Sequence, residues 1–279
     1  MSHVTSPRGT ATPSRRPTAL VQVSATMLWS APDRPRDVDA DIVRDDPDVQ
    51  SWLATLDSHR GEGEDGSGRL GLHGRVESQL VAGEPVLVVG HDPSGRWAEV
   101  RALWQLSPKD PRGYPGWVPA AHLGPVPPPD VELRGPEQRA ASKADSVVTF
   151  ARQHLGVGYL WGGISEIGFD CSGLVHQAWR QLGVLVPRDA HAQAEAAAPV
   201  DLDAVEAGDL YFFARPGHRI HHVGIVVSPG WMVHAPETGR LLVEEPLSPE
   251  RVATLAGAGR LPYQERPSNS VAGSKPSAR

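Results

Sequence analysis

The stretch Phe169-Asp170-Cys171-Ser172-Gly173-Leu174-Val175 holds the only cysteine in the 279 residues, and it decides the fold of the second half of the chain. A lone thiol cannot form an intramolecular disulfide, so its value lies in packing or in reactivity. Asp170 is a good helix N-cap, and apolar residues follow it at helical spacing, namely Leu174, Val175, Ala178, Trp179 and Leu182. Cys171 is therefore predicted to lie in the first helical turn, where free backbone N–H groups and the helix dipole stabilise a thiolate. We expect this placement to lower the pKa of the thiol from about 8.5 into the range of about 3.5–7.5.

Two histidines in short β-like segments favour a reactive thiol over a buried packing cysteine, which is the common fate of a free cysteine. His222 opens one segment, and His234 lies in the next one, after the turn Ser228-Pro229-Gly230. A thiolate nucleophile needs an adjacent base, and the base needs a third group that fixes its tautomer. A two-residue loop would set His234 opposite Ile225 and turn His222 to the other face of the sheet. A bulge or a longer loop is therefore required if the two rings are to meet.

Six short motifs in this half occur in an order and spacing that match a known family. They are Tyr159-Leu160-Trp161-Gly162-Gly163, Asp170-Cys171-Ser172-Gly173-Leu174-Val175, Pro187-Arg188-Asp189, Gly208-Asp209-Leu210, His222-Val223-Gly224-Ile225 and His234-Ala235. By these motifs, residues 142 to about 265 resemble the NlpC/P60 family of papain-like cell-wall cysteine peptidases. The resemblance implies that Cys171 is the nucleophile, His222 the base and His234 the residue that orients the base. It also nominates the Tyr159 hydroxyl as a donor to the oxyanion, and the backbone N–H of Cys171 at the helix start is well placed as another.

The first half of the chain is predicted to be mainly β. Short β-like segments separated by Gly, Pro and Asp run from about residue 20 to residue 123, and Trp97–Ala102 alternates as a half-buried strand should. Together with Gly83-Glu84-Pro85-Val86 and Gly113-Tyr114-Pro115-Gly116-Trp117-Val118, this pattern resembles a bacterial SH3-like domain, a small β-barrel. An acidic insertion lies between about residues 34 and 68, and its residues 47–56 are predicted to form a short helix with Trp52, Leu53 and Leu56 inward.

These patterns predict an α+β chain in which a papain-like NlpC/P60 catalytic domain follows an SH3-like β-barrel. The catalytic domain combines helices, the first of which starts at Ser142, with an antiparallel sheet, and the helices pack on one side of that sheet. The predicted strands of the sheet are 209–213, 222–227, 231–235 and 241–245. We predict a disordered tail at 1–18, the barrel at 19–124, a stiff proline-rich linker at 125–141, the catalytic domain at 142–265 and a second disordered tail at 266–279.

A subgroup of the family that carries an SH3-like domain before the catalytic domain is similar to this chain. The resemblance implies γ-D-glutamyl-L-diamino acid endopeptidase activity, which releases L-Ala-γ-D-Glu from peptidoglycan stem peptides whose alanine amine is free. It further implies that Asp189 binds the N-terminal dipeptide and that the first domain contributes a glutamate and a tyrosine, for which we select Glu77 and Tyr114. Ala190 departs from the subgroup, in which a serine is common, so one hydrogen bond to the glutamate is expected to be absent.

Three residues around the nucleophile are assigned to the substrate from their chemistry. Asp170 can hold a free α-amino group while it caps its helix, because a carboxylate has about four lone-pair sites. Ser172 adds a hydroxyl on the same side, and Trp161 would form an aromatic wall against an alanine-sized side chain.

Composition argues against several other classes of protein. The net charge is −6 with no dense basic block, which argues against a nucleic-acid partner, and no stretch is long and apolar enough for a secretory signal or a membrane span. We therefore expect a monomeric cytoplasmic enzyme that uses no cofactor and acts on peptidoglycan-derived peptides in recycling or trimming. If the true N-terminus lies upstream, the enzyme is expected to be secreted.

Three alternatives remain open at this point. A metal site is the alternative use of His218, His221 and His222 with His234, but their Gly/Pro-rich loop also carries Arg219, and no metal is expected. An amidase or acyltransferase would use the same thioester and differ only in the acceptor. A catalytically inert protein that binds cell-wall peptides would be expected to lack Cys171 or one of the paired histidines, and all three are present.

Overall fold

The structure, a computed structural model, describes residues 16–127 and 146–261. Apart from residues 16–18 and 125–127, the predicted tail at 1–18 and the predicted linker at 125–141 lie outside these ranges, as do the predicted helix start at Ser142 and the tail at 266–279. The helices are α1 (Ala40–Val43), α2 (Val49–Ser58), α3 (Val147–Gln153), α4 (Cys171–Gln181), α5 (Ala190–Ala196) and α6 (Pro249–Thr254). Among the described residues, no helix has the length and apolar character that crossing a bilayer requires.

Fifteen short strands form three antiparallel sheets within the described ranges. The first sheet has the order β3-β2-β6-β5-β4-β1-β7, the second has the order β10-β15-β11-β12-β13-β14, and β8 pairs with β9. The strands are β1 (Ala19–Val21), β2 (Ala25–Trp29), β3 (Val76–Val81), β4 (Pro85–His91), β5 (Trp97–Ala102), β6 (Tyr114–Pro119), β7 (Leu123–Gly124), β8 (Ile164–Ser165), β9 (Gly168–Phe169), β10 (Ala198–Val200), β11 (Leu210–Phe213), β12 (His222–Ser228), β13 (Trp231–His234), β14 (Val243–Pro246) and β15 (Leu255–Arg260).

The first sheet confirms the predicted β content but not the predicted closed barrel. In β5, Ala98, Val100 and Ala102 are fully buried and alternate with less buried residues, as the sequence pattern predicts. Strands β3 and β7 lie at the two edges, and no pairing between described residues joins them. The prediction of a closed barrel is therefore wrong, because the sheet stays open between these edges. The likeness of residues 19–124 to an SH3-like domain stays a prediction.

The acidic insertion packs as a small helical layer on the first sheet. Helix α2 starts two residues later than predicted, after Asp48, whose side chain accepts a hydrogen bond from the N–H of Ser51. Trp52 and Leu56 are fully buried, and the indole N–H of Trp52 donates to Asp39 at 2.8 Å. Their apolar cluster includes Leu160 from the second half of the chain. The insertion is therefore part of the core that supports the segment around residue 160.

The second sheet carries the four predicted strands within two residues of their predicted bounds, and β10 and β15 extend it. In β11, Leu210 and Phe212 pack against helices α3 and α4, whereas Tyr211 and Phe213 belong to the cluster on the opposite face. Helix α3 begins at Val147, and Ser146 caps it by accepting from the N–H of Thr149. The mixed helices and antiparallel strands agree with the predicted α+β class.

Buried polar contacts join the two halves. Glu84 in the first half pairs with Arg180 of α4 at 3.1 Å, and Ser78 of β3 accepts a hydrogen bond from Arg188 at 2.8 Å. Gln105 connects these contacts by bonding to both Glu84 and Ser78. All five side chains are at most 4% exposed. The segment that includes Arg188 is thus held by groups from both halves.

Candidate active site

Cys171 is the first residue of α4, as the sequence predicts. Asp170 caps the helix by accepting a hydrogen bond from the N–H of Gly173 at 2.6 Å. The first turn of α4 packs directly against the backbone of Gly163. Only glycine fits at position 173, because a Cβ there would lie 1.9 Å from the carbonyl oxygen of Gly163. Gly183, at φ +81°, then ends the helix in the left-handed conformation.

The surroundings of Cys171 favour the neutral thiol over the thiolate. Cys171 is 8% exposed, and burial together with the negative charge of Asp170 raises the pKa of the thiol to about 12. The backbone N–H groups of Val223 and Ser172 bond to the sulfur and act in the opposite direction, but with smaller effect. The expectation of a lowered pKa is therefore wrong, because burial outweighs the start of the helix.

A β-bulge brings the two predicted histidines together. Ile225 pairs with Val233, whereas a simple two-residue loop would pair it with His234. The register of the two strands shifts by one residue between Val226 and Ser228. The predicted need for a bulge is thus confirmed, and His222 and His234 project from the same face of the sheet. His222 Nε2 lies 2.8 Å from His234 Nδ1.

Gly224 leaves room for this pair between the strands. It lies on the same face as both histidines, and a Cβ there would come 2.5 Å from Met232 Sδ and 3.3 Å from the Cβ of His234. A side chain at this position would require the end of the Met232 side chain to move and would press on the Cβ of His234.

Both imidazoles are held neutral. Burial, reinforced by the neighbouring ring and by Arg251, lowers the pKa of His222 well below its usual 6.5. Burial likewise lowers the pKa of His234 to about 4, although the hydrogen bond to Glu245 partly opposes this shift. Glu245 Oε1 lies 2.9 Å from His234 Nε2. Glu245 carries no sequence signal of a site residue, because the register of β14 depends on the loop after β13, and the length of that loop does not specify a turn type.

The structure gives Asp170 a charge partner other than the predicted substrate amine. Arg188, which is 1% exposed, donates to both carboxylate oxygens at 3.0 and 2.7 Å. The N–H groups of Gly162 and Gly173 and the hydroxyl of Ser172 also bond to this carboxylate. The expectation that Asp170 holds an α-amino group is corrected accordingly, because its acceptor sites and its charge are already satisfied. The predicted hydroxyl of Ser172 lines the cleft but also accepts from Arg188 at 3.0 Å.

The predicted residues Glu77, Tyr114 and Asp189 come together at one end of the cleft. The Tyr114 hydroxyl lies 3.0 Å from Asp189 Oδ2 and 3.2 Å from Glu77 Oε2. Burial and the charges of Asp189 and Glu77 raise the pKa of Tyr114, so its hydroxyl stays protonated. The Lys109 ammonium contacts Glu77 and lies 3.1 Å from the Tyr114 hydroxyl oxygen. This acidic cluster (Glu77, Tyr114 and Asp189) therefore already accommodates a positively charged amine of the chain itself.

Tyr159 and Trp161 form another wall of the cleft, and the first half of the chain holds both in place. Burial and the nearby Cys171 raise the pKa of Tyr159 well above 10, so its hydroxyl remains a donor. Arg69, which is paired with Asp57 of the insertion, donates to the carbonyl oxygen of Tyr159 at 3.0 Å. The Trp161 indole N–H donates to the carbonyl oxygen of Val76 at 2.9 Å.

The cleft between these walls measures about 310 Å³. It is lined by the predicted residues Glu77, Tyr114, Tyr159, Trp161, Asp170, Cys171, Ser172 and Asp189, by Ala190, and by Lys109, Arg219 and His221. Among the described residues, no group of three His, Cys, Asp or Glu side chains is arranged to hold a metal ion, and this applies to His218, His221, His222 and His234.

Comparisons with known proteins find similar sequences and a similar fold. Residues 156–255 match the model of the NlpC/P60 family. The chain is 31% identical over 270 residues to the gamma-D-glutamyl-L-lysine dipeptidyl-peptidase of Bacillus subtilis, which covers 76% of this chain and 88% of that protein. The protein of the same name from Bacillus cereus is 27% identical over 312 residues, with 87% and 90% covered. The crystal structure of an NlpC/P60 family protein from Bacillus cereus matches with a TM-score of 0.75 at 27% identity, which covers 88% of this chain and all of that one.

Proposed function

Because the chain belongs to the NlpC/P60 family of peptidases, we propose that it hydrolyses the bond between γ-D-Glu and the following diamino acid in peptidoglycan stem peptides with a free N-terminal L-Ala. The acidic cluster at the end of the cleft carries this proposal. The names of the two Bacillus relatives specify the same γ-D-glutamyl linkage, with L-lysine as the diamino acid.

The proposed reaction starts from a neutral thiol and a neutral imidazole. The Cys171 sulfur attacks the γ-carbonyl carbon while its proton passes to His222, whose Nδ1 is the ring nitrogen left over from the contact with His234. The C–N bond then breaks, and His222 gives the proton to the leaving amine. Water attacks the resulting thioester with His222 again as base, which releases L-Ala-γ-D-Glu and restores the thiol.

Two donors are proposed for the negatively charged oxygen of the tetrahedral intermediate. The Tyr159 hydroxyl lines the cleft beside Cys171 and stays protonated. The backbone N–H of Cys171 lies at the start of α4, where no helical partner is available to it. A donor that is fixed before the reaction needs no rearrangement when the charge develops.

The acidic cluster is the proposed site of the alanine amine. Asp189 and Glu77 supply two carboxylates, and Tyr114 supplies a hydroxyl that is fixed between them. A substrate ammonium would take the side of the cluster that Lys109 now contacts. An acylated amine carries no charge, so it could not replace the Lys109 ammonium as the partner of these carboxylates. The proposed enzyme therefore requires a free N-terminus.

We expect L-Ala-γ-D-Glu-diaminopimelate to be cleaved with a kcat/KM about 100-fold or more above that of its N-acetylated form. Mass spectrometry of the released dipeptide measures both rates, and the corresponding L-lysine peptide tests which diamino acid is preferred. Equal cleavage of the free and acetylated peptides would contradict amine recognition. No cleavage of either would contradict the proposed function.

An Asp189→Asn variant connects the free-amine requirement to the acidic cluster. It should lower kcat/KM for the free-amine peptide toward the value for the acetylated one and leave the acetylated one nearly unchanged. Glu195→Gln, an exposed change on the helix that begins just after Asp189, is the matched control and should leave both values unchanged. A loss in both variants would indicate damage to α5 rather than loss of an amine contact.

The pH dependence follows from the lowered histidine pKa values. Catalysis needs His222 unprotonated, and a group with a lowered pKa binds its proton only at lower pH, so activity should persist below pH 6.5. His222 faces His234, His221 and Arg251, and His234 faces Glu245, Arg240 and Arg251. We expect the acid limb of kcat/KM to have its midpoint well below 6.5, because burial disfavours the protonated form of His222. An acid limb centred at or above 6.5 would contradict the neutral, buried pair.

The acyltransferase alternative makes a different prediction for the thioester. If water is the natural acceptor, adding a free amino acid amine at millimolar concentration should yield the hydrolysed dipeptide as the main product. If transfer dominates instead, a new amide product will appear in the same mass spectrum.

The cytoplasmic location and the monomeric state remain predictions.

A further inference from the structure

A carboxylate lies directly behind the histidine pair. His222, His234 and Glu245 project from the same face of three neighbouring strands, β12, β13 and β14. The pairing of His234 with Val243 sets Glu245 diagonally next to His234. His234 is fully buried, whereas the Glu245 side chain is 33% exposed. The Nε2–Oε1 and Nδ1–Nε2 contacts form one chain from Glu245 through His234 to His222.

We propose that Glu245 is a positioning residue that sets the tautomers of both histidines and so leaves the Nδ1 lone pair of His222 available for the thiol proton. This inference rests on the proposed function, because it assigns a direction to the base in that reaction.

The direction follows from counting protons. A carboxylate only accepts hydrogen bonds, so Nε2 of His234 must carry the proton in that contact. A neutral imidazole has a single N–H, so Nδ1 of His234 is then an acceptor, and Nε2 of His222 must donate to it. The one remaining ring nitrogen of His222, Nδ1, therefore bears a lone pair. Without Glu245, the reverse tautomers would satisfy the His222–His234 contact equally well, and Nδ1 of His222 would then be protonated and unable to act as a base.

The charge of Glu245 has a second effect, on the protonated state of the pair. During the reaction His222 receives the thiol proton, and the adjacent His234 shares the resulting positive charge through its hydrogen bond. Arg240 and Arg251 oppose a positive charge on His234, whereas Glu245 favours it. Removing the carboxylate should therefore make the pair a poorer proton acceptor and shift the acid limb of kcat/KM to still lower pH.

The test compares Glu245→Gln and Glu245→Ala with the unmodified full chain. A glutamine amide can donate as well as accept, so it no longer selects one tautomer. We expect kcat to fall by about 10–100-fold with KM within about twofold, the size of loss found when the carboxylate partner of a metal-bound imidazole is removed. The ¹⁵N NMR spectrum should show a single tautomer for His234, protonated at Nε2, in the unmodified protein and a mixture of tautomers in both variants.

Glu244→Gln is the matched control. Glu244 is the preceding residue of the same strand, projects from the opposite face and pairs with Arg152 at the surface at 2.8 Å. This variant should keep kcat, the tautomer and the acid limb unchanged. An unchanged kcat and tautomer in Glu245→Ala would overturn the inference, and so would an equal loss in Glu244→Gln. If the unmodified protein cleaves no stem peptide, the proposed function fails, whereas the NMR comparison still decides whether Glu245 selects the tautomer.

Discussion

Cys171→Ala is expected to reduce kcat/KM for L-Ala-γ-D-Glu-diaminopimelate by at least about 10⁴-fold. The chain contains one cysteine, so no second thiol can form the thioester. The change removes one atom from a site whose hydrogen bonds run mainly between Asp170, Arg188 and Ser172, so the free energy of unfolding should change by about 1 kcal/mol or less. Steady-state kinetics and urea denaturation measure the two quantities.

An acid quench of the unmodified enzyme during turnover provides the complementary observation. The protein mass should increase by that of the dipeptide acyl group, and the added mass should map to the peptide that contains Cys171. Cys171→Ser should be nearly inactive as well, since a hydroxyl is a much weaker nucleophile than a thiol at neutral pH. Turnover by a folded Cys171→Ala variant above about 1% of the original rate would rule out Cys171 as the nucleophile. The residual activity expected for this variant is about 10⁻⁴ of the original rate.

Arg188→Ala is expected to lower the free energy of unfolding by about 3–5 kcal/mol, since it leaves the buried Asp170 carboxylate without its charge partner. The Ser78 hydroxyl also loses its contact across the two halves. Arg152→Ala, which breaks an exposed pair with Glu244, is the control and should cost about 1 kcal/mol or less. Urea denaturation with an unchanged m-value separates a loss of stability from a change in the unfolded state.

The double variant Asp170→Asn/Arg188→Met distinguishes an unpaired charge from lost packing. Asparagine can still cap α4, and methionine fills part of the space of the arginine, so the double variant should be more stable than the sum of the single losses predicts. A loss below about 1 kcal/mol in Arg188→Ala would mean that water or another group compensates Asp170, which would contradict the buried pair.

Local chemistry explains why α4 and the histidine hairpin could be predicted. The N-cap at Asp170, the apolar spacing after it and the stop at Gly183 all lie within about four helical turns. The turn between β12 and β13 is short enough to set the register, so the need for a bulge could be worked out by arithmetic alone.

Features that depend on distant contacts could not be predicted. The high pKa of Cys171 comes from burial by residues far along the chain, whereas the start of the helix is a local feature. Arg188 lies in a motif that the sequence reveals, but its contact with Ser78 depends on how the two halves pack. The position of Glu245 depends on the loop between β13 and β14. The edges of the first sheet depend on strand order, which alternating hydrophobicity does not determine.

The chain of buried contacts from Arg180 through Glu84 and Gln105 to Ser78 and Arg188 also has a consequence for how the molecule melts. Multidomain chains often unfold in separate steps. Here, unfolding either half alone would leave buried guanidinium or carboxylate groups of the other half without their charge partners. Both halves should consequently lose their structure in one cooperative transition.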